Sequence, residues 1–118
     1  MRVLIVDDHE SFRRLAGRLL IAAGFAVVGE AADAASAVRE AASLTPDVVL
    51  LDVMLPDRSG VDVARELRTA VVNPPRVVLT SSRSRSDFGA GFSWPEGCDF
   101  IPKHLLSATS LGALLVEP

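Results

Sequence analysis

Asp47-Val48-Val49-Leu50-Leu51-Asp52 is a near-continuous apolar run, rich in β-branched residues and bounded by an acid at each end. A run of this kind suits a strand buried on both faces, which is what a parallel sheet covered by helices on both sides requires. Four more bursts lie around it: Arg2-Val3-Leu4-Ile5-Val6, Ala26-Val27-Val28-Gly29-Glu30-Ala31, Arg76-Val77-Val78-Leu79-Thr80 and Asp99-Phe100-Ile101-Pro102. The second is less hydrophobic than the first, as expected of an edge strand.

Between the bursts, apolar residues recur at three- and four-residue steps, the helical period. Phe12, Leu15, Ala16, Leu19, Leu20 and Ala23 predict an amphipathic helix over 9–23, with Arg13, Arg14 and Arg18 largely on its other side and Gly24 as its stop. Asp33 can cap an alanine-rich helix over 34–43, and Pro46 forces a restart. Val61, Ala64, Leu67 and Val71 mark a third helix, while Leu105, Leu106, Leu111, Leu114 and Leu115 mark a last one that Ser107 or Ser110 can cap. From Ser81 to Gly97 the pattern fails, because Gly89, Gly91 and Pro95 interrupt a polar Ser/Arg run. A short, mobile helix is the most that stretch supports. Five strands alternating with five helices predict an α/β doubly wound parallel sheet with right-handed crossovers, in a single domain over 1–118.

Composition agrees and narrows the function. With 118 residues, 49% hydrophobic and 23% charged, the chain can bury one sizeable core. A net charge of −3 disfavours direct nucleic-acid binding and adhesion to anionic membrane, both of which need a basic surface. The longest apolar stretch, Leu19 to Gly29, is too short to span a bilayer, and Met1-Arg2 leads straight into a strand. Cys98 is the lone cysteine, expected as a small buried hydrophobe, and its solitude fits a reducing compartment. Together these features predict a cytoplasmic location.

In an open parallel sheet the site lies beyond the carboxyl ends of the strands. Those ends carry Asp7 and Asp8, then Asp52, then Thr80, with Lys103 just past the fifth strand. Crowded carboxylates need a cation, and oxygen ligands without a His or Cys cluster point to Mg²⁺ or a similar hard ion. Lys103 is the only lysine among 12 basic residues, a compact charge suited to one phosphoryl oxygen or one carboxylate. Flavin and nucleotide sites are disfavoured, since neither GxGxxG nor GxxxxGK[ST] occurs.

Val3-Leu4-Ile5-Val6-Asp7-Asp8-His9, Leu50-Leu51-Asp52-Val53-Met54-Leu55-Pro56-Asp57-Arg58-Ser59-Gly60, Thr80 and Phe100-Ile101-Pro102-Lys103 together resemble the receiver domain of two-component response regulators. The resemblance implies a flavodoxin-like (βα)5 fold with strand order 2-1-3-4-5. It implies Asp52 as phosphoacceptor from a phosphohistidine on a sensor histidine kinase. Mg²⁺ would be held by Asp8 directly, by Asp7 through water, by Asp52 and by the backbone carbonyl of Met54. Thr80 and Lys103 would meet the phosphoryl group, and Thr80 with Phe100 would form the switch. Such a domain promotes its own phosphorylation and dephosphorylation without being a separate turnover enzyme. Its output would be a shifted face of fourth helix, fifth strand and fifth helix, read by a downstream protein target, with a homodimer also compatible.

The chain departs from the family pattern in places. His104 follows Lys103 where many receivers have proline, Ser81 follows Thr80 where alanine is frequent, and Ser84 to Pro95 does not resemble a well-formed fourth helix. No helix-turn-helix precedes Pro118, which suggests either a stand-alone receiver or the receiver half of a longer transcription factor. An aspartyl phosphatase is a rival, but it needs a second acid two residues after the nucleophile, where Met54 stands. A phosphate-independent interaction module with the same fold is the other rival. His9 and His104 are expected to be solvated or locally bonded.

Overall fold

The computed structural model describes residues 1–70 and 72–115; Val71, which the spacing assigns to the third helix, lies outside them. β1 (Arg2–Val6), β2 (Ala26–Ala31), β3 (Val48–Asp52), β4 (Arg76–Ser81) and β5 (Asp99–Pro102) form one sheet in the order β2-β1-β3-β4-β5, all pairs parallel. Every residue of β3 is buried, as its position in the middle of the sheet demands. β2 is indeed at an edge.

Alternation along the strands divides the apolar residues between two cores. Leu4, Val6, Val49, Leu51, Val77 and Leu79 face one way, packing with α2 (Ala34–Leu44) and α3 (Gly60–Ala70) through Ala37, Ala41, Ala64 and Leu67. Val3, Ile5, Val48, Leu50 and Val78 face the other, against Ala16 and Leu20 of α1 (Glu10–Ala22) and Leu111 of α4 (Ala108–Leu114). Small alanines let α2 lie close to the sheet.

The helix ends obey the local chemistry expected of them. Asp33 caps α2, its carboxylate accepting the Ser36 N–H at 2.8 Å, and Ser107 caps α4 by accepting the Ser110 N–H at 2.9 Å. Gly24 comes after α1 at φ 93°, a conformation that favours glycine. The peptide after Lys103 is trans.

The largest departure from the alternating pattern falls between β4 and β5. Where a fourth of five helices is expected stands one 3₁₀ turn, Arg85–Phe88, so the described residues hold four α-helices in all. Gly89 at φ 79° ends the turn, and the stretch from there to β5 is held by rings more than by backbone hydrogen bonding. Phe88 and Phe92 centroids are 4.8 Å apart, Phe92 and Trp94 4.7 Å, Trp94 and Phe100 4.9 Å. From α3, Arg65 donates to the Ser93 carbonyl at 3.1 Å and Arg68 to the Glu96 carbonyl at 2.8 Å, pinning the segment from beneath. Cys98 is half-buried against the same core, and burial raises its thiol pKa.

Candidate functional site

Parallel pairing sets the carboxyl ends side by side, with Val6 opposite Leu51 and Asp52 opposite Thr80. Asp7, one residue past β1, therefore lies beside Asp52, and both are buried, at 0% and 3% exposure. Lys103 reaches over from the end of β5: its Nζ is 2.6 Å from Asp7 Oδ2 and 3.1 Å from Asp52 Oδ2. The ammonium also sits 4.3 Å from the ring centroid of Phe12, which gives its third side a cation–π partner.

Burying these acids without partners would be prohibitive, so each is held by donors. Asp52 Oδ1 accepts the Met54 N–H at 3.0 Å, and Asp7 Oδ1 accepts the His9 N–H at 2.8 Å. The Lys103 contact to Asp7 Oδ2 is ionic and poorly directed, so that oxygen makes no regular hydrogen bond. Thr80, opposite Asp52 in the strand register, is 1% exposed and its Oγ1 has no hydrogen-bond partner among the described residues.

Electrostatics separates the two buried acids. Burial pushes the Asp52 carboxyl up to about 6, reinforced by the charge on Asp7 and opposed by the Met54 amide and Lys103. Asp7 moves down: burial works against its ionisation, but Lys103, the His9 N–H and the hydrogen bond to Asp52 outweigh it. The Lys103 ammonium resists burial because Asp7 and Asp52 hold its pKa above the usual lysine value. Of the two, Asp52 is thus the acid that takes up a proton first as pH falls, while Asp7 stays ionised.

The oxygen ligands suit a hard divalent cation. One ligand atom each from Asp7, Asp8, His9 and Asp52 lies within 4.8 Å of the others. His9 Nδ1 stands 3.1 Å from both Asp7 Oδ1 and Asp8 Oδ1, on a side chain 66% exposed and able to turn away. His9 is thus locally bonded, as its position suggested. Carboxylate oxygens in excess of the single ammonium, together with the orphaned Thr80 hydroxyl, fit a cation and an anion bound side by side. The side chain of Met54 is 59% exposed; its backbone N–H is the group seen to touch Asp52.

Two supports escape the sequence pattern. Arg13, assigned by periodicity to the outer side of its helix, is only 17% exposed; its Nη1 donates to the Asp7 carbonyl at 2.7 Å and its Nε to Glu30 at 2.8 Å. The length of the side chain carries the guanidinium back across the strand ends. Gly60 packs against Asp52 so closely that a Cβ there would stand 2.0 Å from the Asp52 carbonyl oxygen. Glycine at the start of α3 is a requirement of that contact. Phe100, on β5 and two strands from Asp52, pairs with Leu79 of β4 and lies within the aromatic cluster.

Comparison with known proteins agrees with this arrangement. The profile of the response regulator receiver domain matches residues 3–112. The DNA-binding response regulator MtrA of Mycolicibacterium smegmatis is 40% identical over 114 residues, 90% of this chain and 47% of MtrA. The transcriptional regulatory protein LiaR of Bacillus subtilis is 38% identical over 82 residues, 69% of this chain and 39% of LiaR. The chain thus spans about half the length, or less, of these curated relatives. Among solved structures, a LuxR-family two-component response regulator from Aurantimonas superposes with TM-score 0.75 at 32% identity, covering 93% of this chain and 78% of that one. A CheY-like receiver domain from Methylobacillus flagellatus shares the fold with TM-score 0.83 at 24% identity, over 98% and 95% of the two chains. With its sheet order, its acid pocket and a match over nearly all of its length, this chain belongs to the response regulator receiver domain family.

Proposed function

We propose that the protein is a phosphorylation-dependent signalling switch in which Asp52 accepts a phosphoryl group. The observation that carries this reading is Lys103 Nζ bridging Asp7 and Asp52 beside an unpartnered Thr80 hydroxyl. A buried hydroxyl without a partner is costly unless a ligand supplies one, and a phosphoryl oxygen at Asp52 is the nearest candidate.

In the proposed reaction the ionised Asp52 carboxylate attacks phosphorus in line, an oxygen–phosphorus bond forms, and the bond to the donor imidazole or acyl oxygen breaks. Lys103 moves from a carboxylate partner to a phosphoryl oxygen and neutralises charge there, while Thr80 Oγ1 donates a hydrogen bond to another. Mg²⁺, held by Asp8, Asp7, Asp52 and the Met54 carbonyl, would supply the remaining charge neutralisation. Arg13 keeps the β1 end in place through the Asp7 carbonyl. The added charge of nearly −2 then biases Thr80 and Phe100 towards a second arrangement, and with them the face formed by the Arg85–Phe88 turn, β5 and α4. A sensor histidine kinase is the proposed donor, and a protein reading that face the proposed target. The domain itself is assigned no turnover beyond its own phosphorylation and dephosphorylation.

The test is incubation with Mg²⁺ and acetyl phosphate, then intact mass and a check of lability. One phosphoryl group, stable in acid and lost in base, is expected on the wild type and absent from Asp52→Asn. Lys103→Ala is expected to reduce uptake and to uncouple it from the switch. A wild type that takes up nothing would favour the phosphate-independent module, and steady hydrolysis of unrelated phosphate esters would favour a phosphatase. The curated relatives suggest a second reading at the level of the whole protein, that this receiver regulates an attached DNA-binding half. Binding of the corresponding full-length polypeptide to DNA, strengthened by acetyl phosphate, would support it.

A further inference from the structure

A cleft of about 520 Å³ lies between the turn after β3 and the segment after β4 that holds the Arg85–Phe88 turn. Val53, Met54 and Leu55 contribute to its lining, as do Phe88 and Phe92, whose tilted rings have centroids 4.8 Å apart. Its volume lies within the range that holds small organic ligands, about 300–1,000 Å³, and apolar walls with few polar groups are the usual lining.

The polar groups of the lining divide by whether they are already engaged. Asp57 accepts the Ala34 and Ala35 N–H groups at 2.8 and 3.0 Å, and Asp87 accepts the Ser84 N–H at 3.0 Å. Arg58 is paired with Glu66. Arg83 is the exception: its backbone N–H bonds to Ser81, while its exposed guanidinium makes no ion pair or hydrogen bond among the described residues. The cleft therefore presents aromatic and thioether surface together with one cation free of direct hydrogen bonds and ion pairs, whose charge adds to the Ser84 donors in lowering the Asp87 pKa. We propose that this cleft is a binding site for an apolar-bodied monoanion, an aryl or acyl carboxylate or sulfonate, whose body lies against Phe88, Phe92 and Met54 and whose anion meets Arg83. A nucleotide is a poor match, since a polyphosphate carries several charges for the one unpaired cation and has no glycine-rich cradle here. The cleft adjoins the Asp52 pocket through the Met54 main chain, whose N–H bonds to Asp52, but its ligand would meet the Met54 thioether, and its occupancy needs no phosphodonor.

The probe is 8-anilinonaphthalene-1-sulfonate, with uncharged N-phenyl-1-naphthylamine as its partner of nearly the same body. Fluorescence titration of the full chain is expected to saturate at one equivalent, with amide shifts in ¹H–¹⁵N spectra centred on Met54, Leu55, Phe88 and Phe92. Arg83→Ala is expected to weaken the sulfonate about tenfold, the size of one charge-assisted hydrogen bond, and to leave the neutral dye unchanged. Arg83 is exposed, so the variant's spectrum away from the cleft should match the wild type and separate a binding loss from misfolding. Phe92→Ala should weaken both dyes. Unsaturable binding, shifts centred elsewhere, such as at the exposed Ile21 or Val72, or equal loss of both dyes in Arg83→Ala would each overturn the proposal. Because phosphate uptake is absent from this experiment, its failure would leave the phosphoacceptor reading untouched.

Discussion

The ends of β1 and β3 and the stretch between β4 and β5 border the same surface, yet they are held by opposite means. At the first, charge is buried and each charged group has a partner fixed by strand register, with Lys103 Nζ at 2.6 Å from Asp7 and 3.1 Å from Asp52. The backbone there has no slack, since Gly60 already touches the Asp52 carbonyl. At the second, four residues of 3₁₀ turn and a loop are held by rings at 4.7–5.3 Å and by two arginines of α3. Ion pairs in a dry site lose their value over fractions of an ångström, whereas tilted rings tolerate many arrangements. One region is held to a single geometry, and the other rests on contacts that tolerate several.

Substitutions of glycine test that contrast most severely. Gly60→Ala places a Cβ against main chain that cannot move without displacing Asp52, and about 3 kcal/mol of stability is expected to be lost in urea unfolding. Gly91→Ala, in the aromatic segment, meets nothing within 4 Å and is expected to change stability by less than about 1 kcal/mol, with a small gain permitted. Equal effects at the two sites would remove the distinction. Next in size is Trp94→Ala, which deletes the half-buried ring that joins Phe92 to Phe100. About 2 kcal/mol is expected, below the range for fully buried rings. Hydrogen exchange should accelerate in residues 84–97 well before β1 and β3 respond; uniform acceleration would show that the segment is part of the rigid core.

The same contrast explains which features could be read from sequence. Asp7, Asp8, Asp52, Thr80 and Lys103 are legible because strands end where apolar runs end, and the parallel sheet brings those ends together. Arg13 is hidden because periodicity records where a Cα points, not how far a guanidinium can return; Glu30 at the end of β2 was the available signal. Phe12 under Lys103 reads as ordinary helix core for a similar reason. Residues 84–97 yield no period because rings at 88, 92 and 94 keep neither helix nor strand spacing. What marks them is composition, since four of the chain's six aromatic residues fall from Phe88 to Phe100.

Removing charge from the rigid region should strengthen it in the absence of metal. Asp52 has a folded-state pKa raised from 3.8 to about 6, so the folded state binds a proton more tightly than the unfolded chain. The stability this contributes is fully present below about pH 3.8 and is lost as pH rises through about 6. Asp52→Asn removes the loss. In chelator-treated protein at pH 8 a gain of roughly 1–2 kcal/mol is expected, smaller than the shift alone implies because the lowered pKa of Asp7 offsets it. The advantage should fade as the pH drops below about 5. A destabilised Asp52→Asn at pH 8 would mean that Lys103 holds the ionised carboxylate better than burial opposes it.

The smallest effect concerns the joint between the turn after β3 and α2. Two carboxylates serve one helix end: Asp33 accepts from Ser36, while Asp57, from a different loop, accepts from Ala34 and Ala35. Both have lowered pKa values, Asp33 first through Ser36 and Asp57 first through the Ala34 amide, so their support is present above the ordinary carboxylate value and lost as pH falls through the lowered one. The unpaired N–H groups of a helix start explain why two acids are accommodated. Asp57→Ala frees two amides but leaves the Asp33 cap, so α2 should persist with faster exchange confined to Ala34 and Ala35. Because Asp57 also ties down the loop that leads from Asp52 to Gly60, the Met54 amide should exchange faster too. If only the helix amides respond, the turn after β3 owes its shape to Gly60 alone, and the rigid region ends one loop sooner than the hydrogen bonds of Asp57 imply.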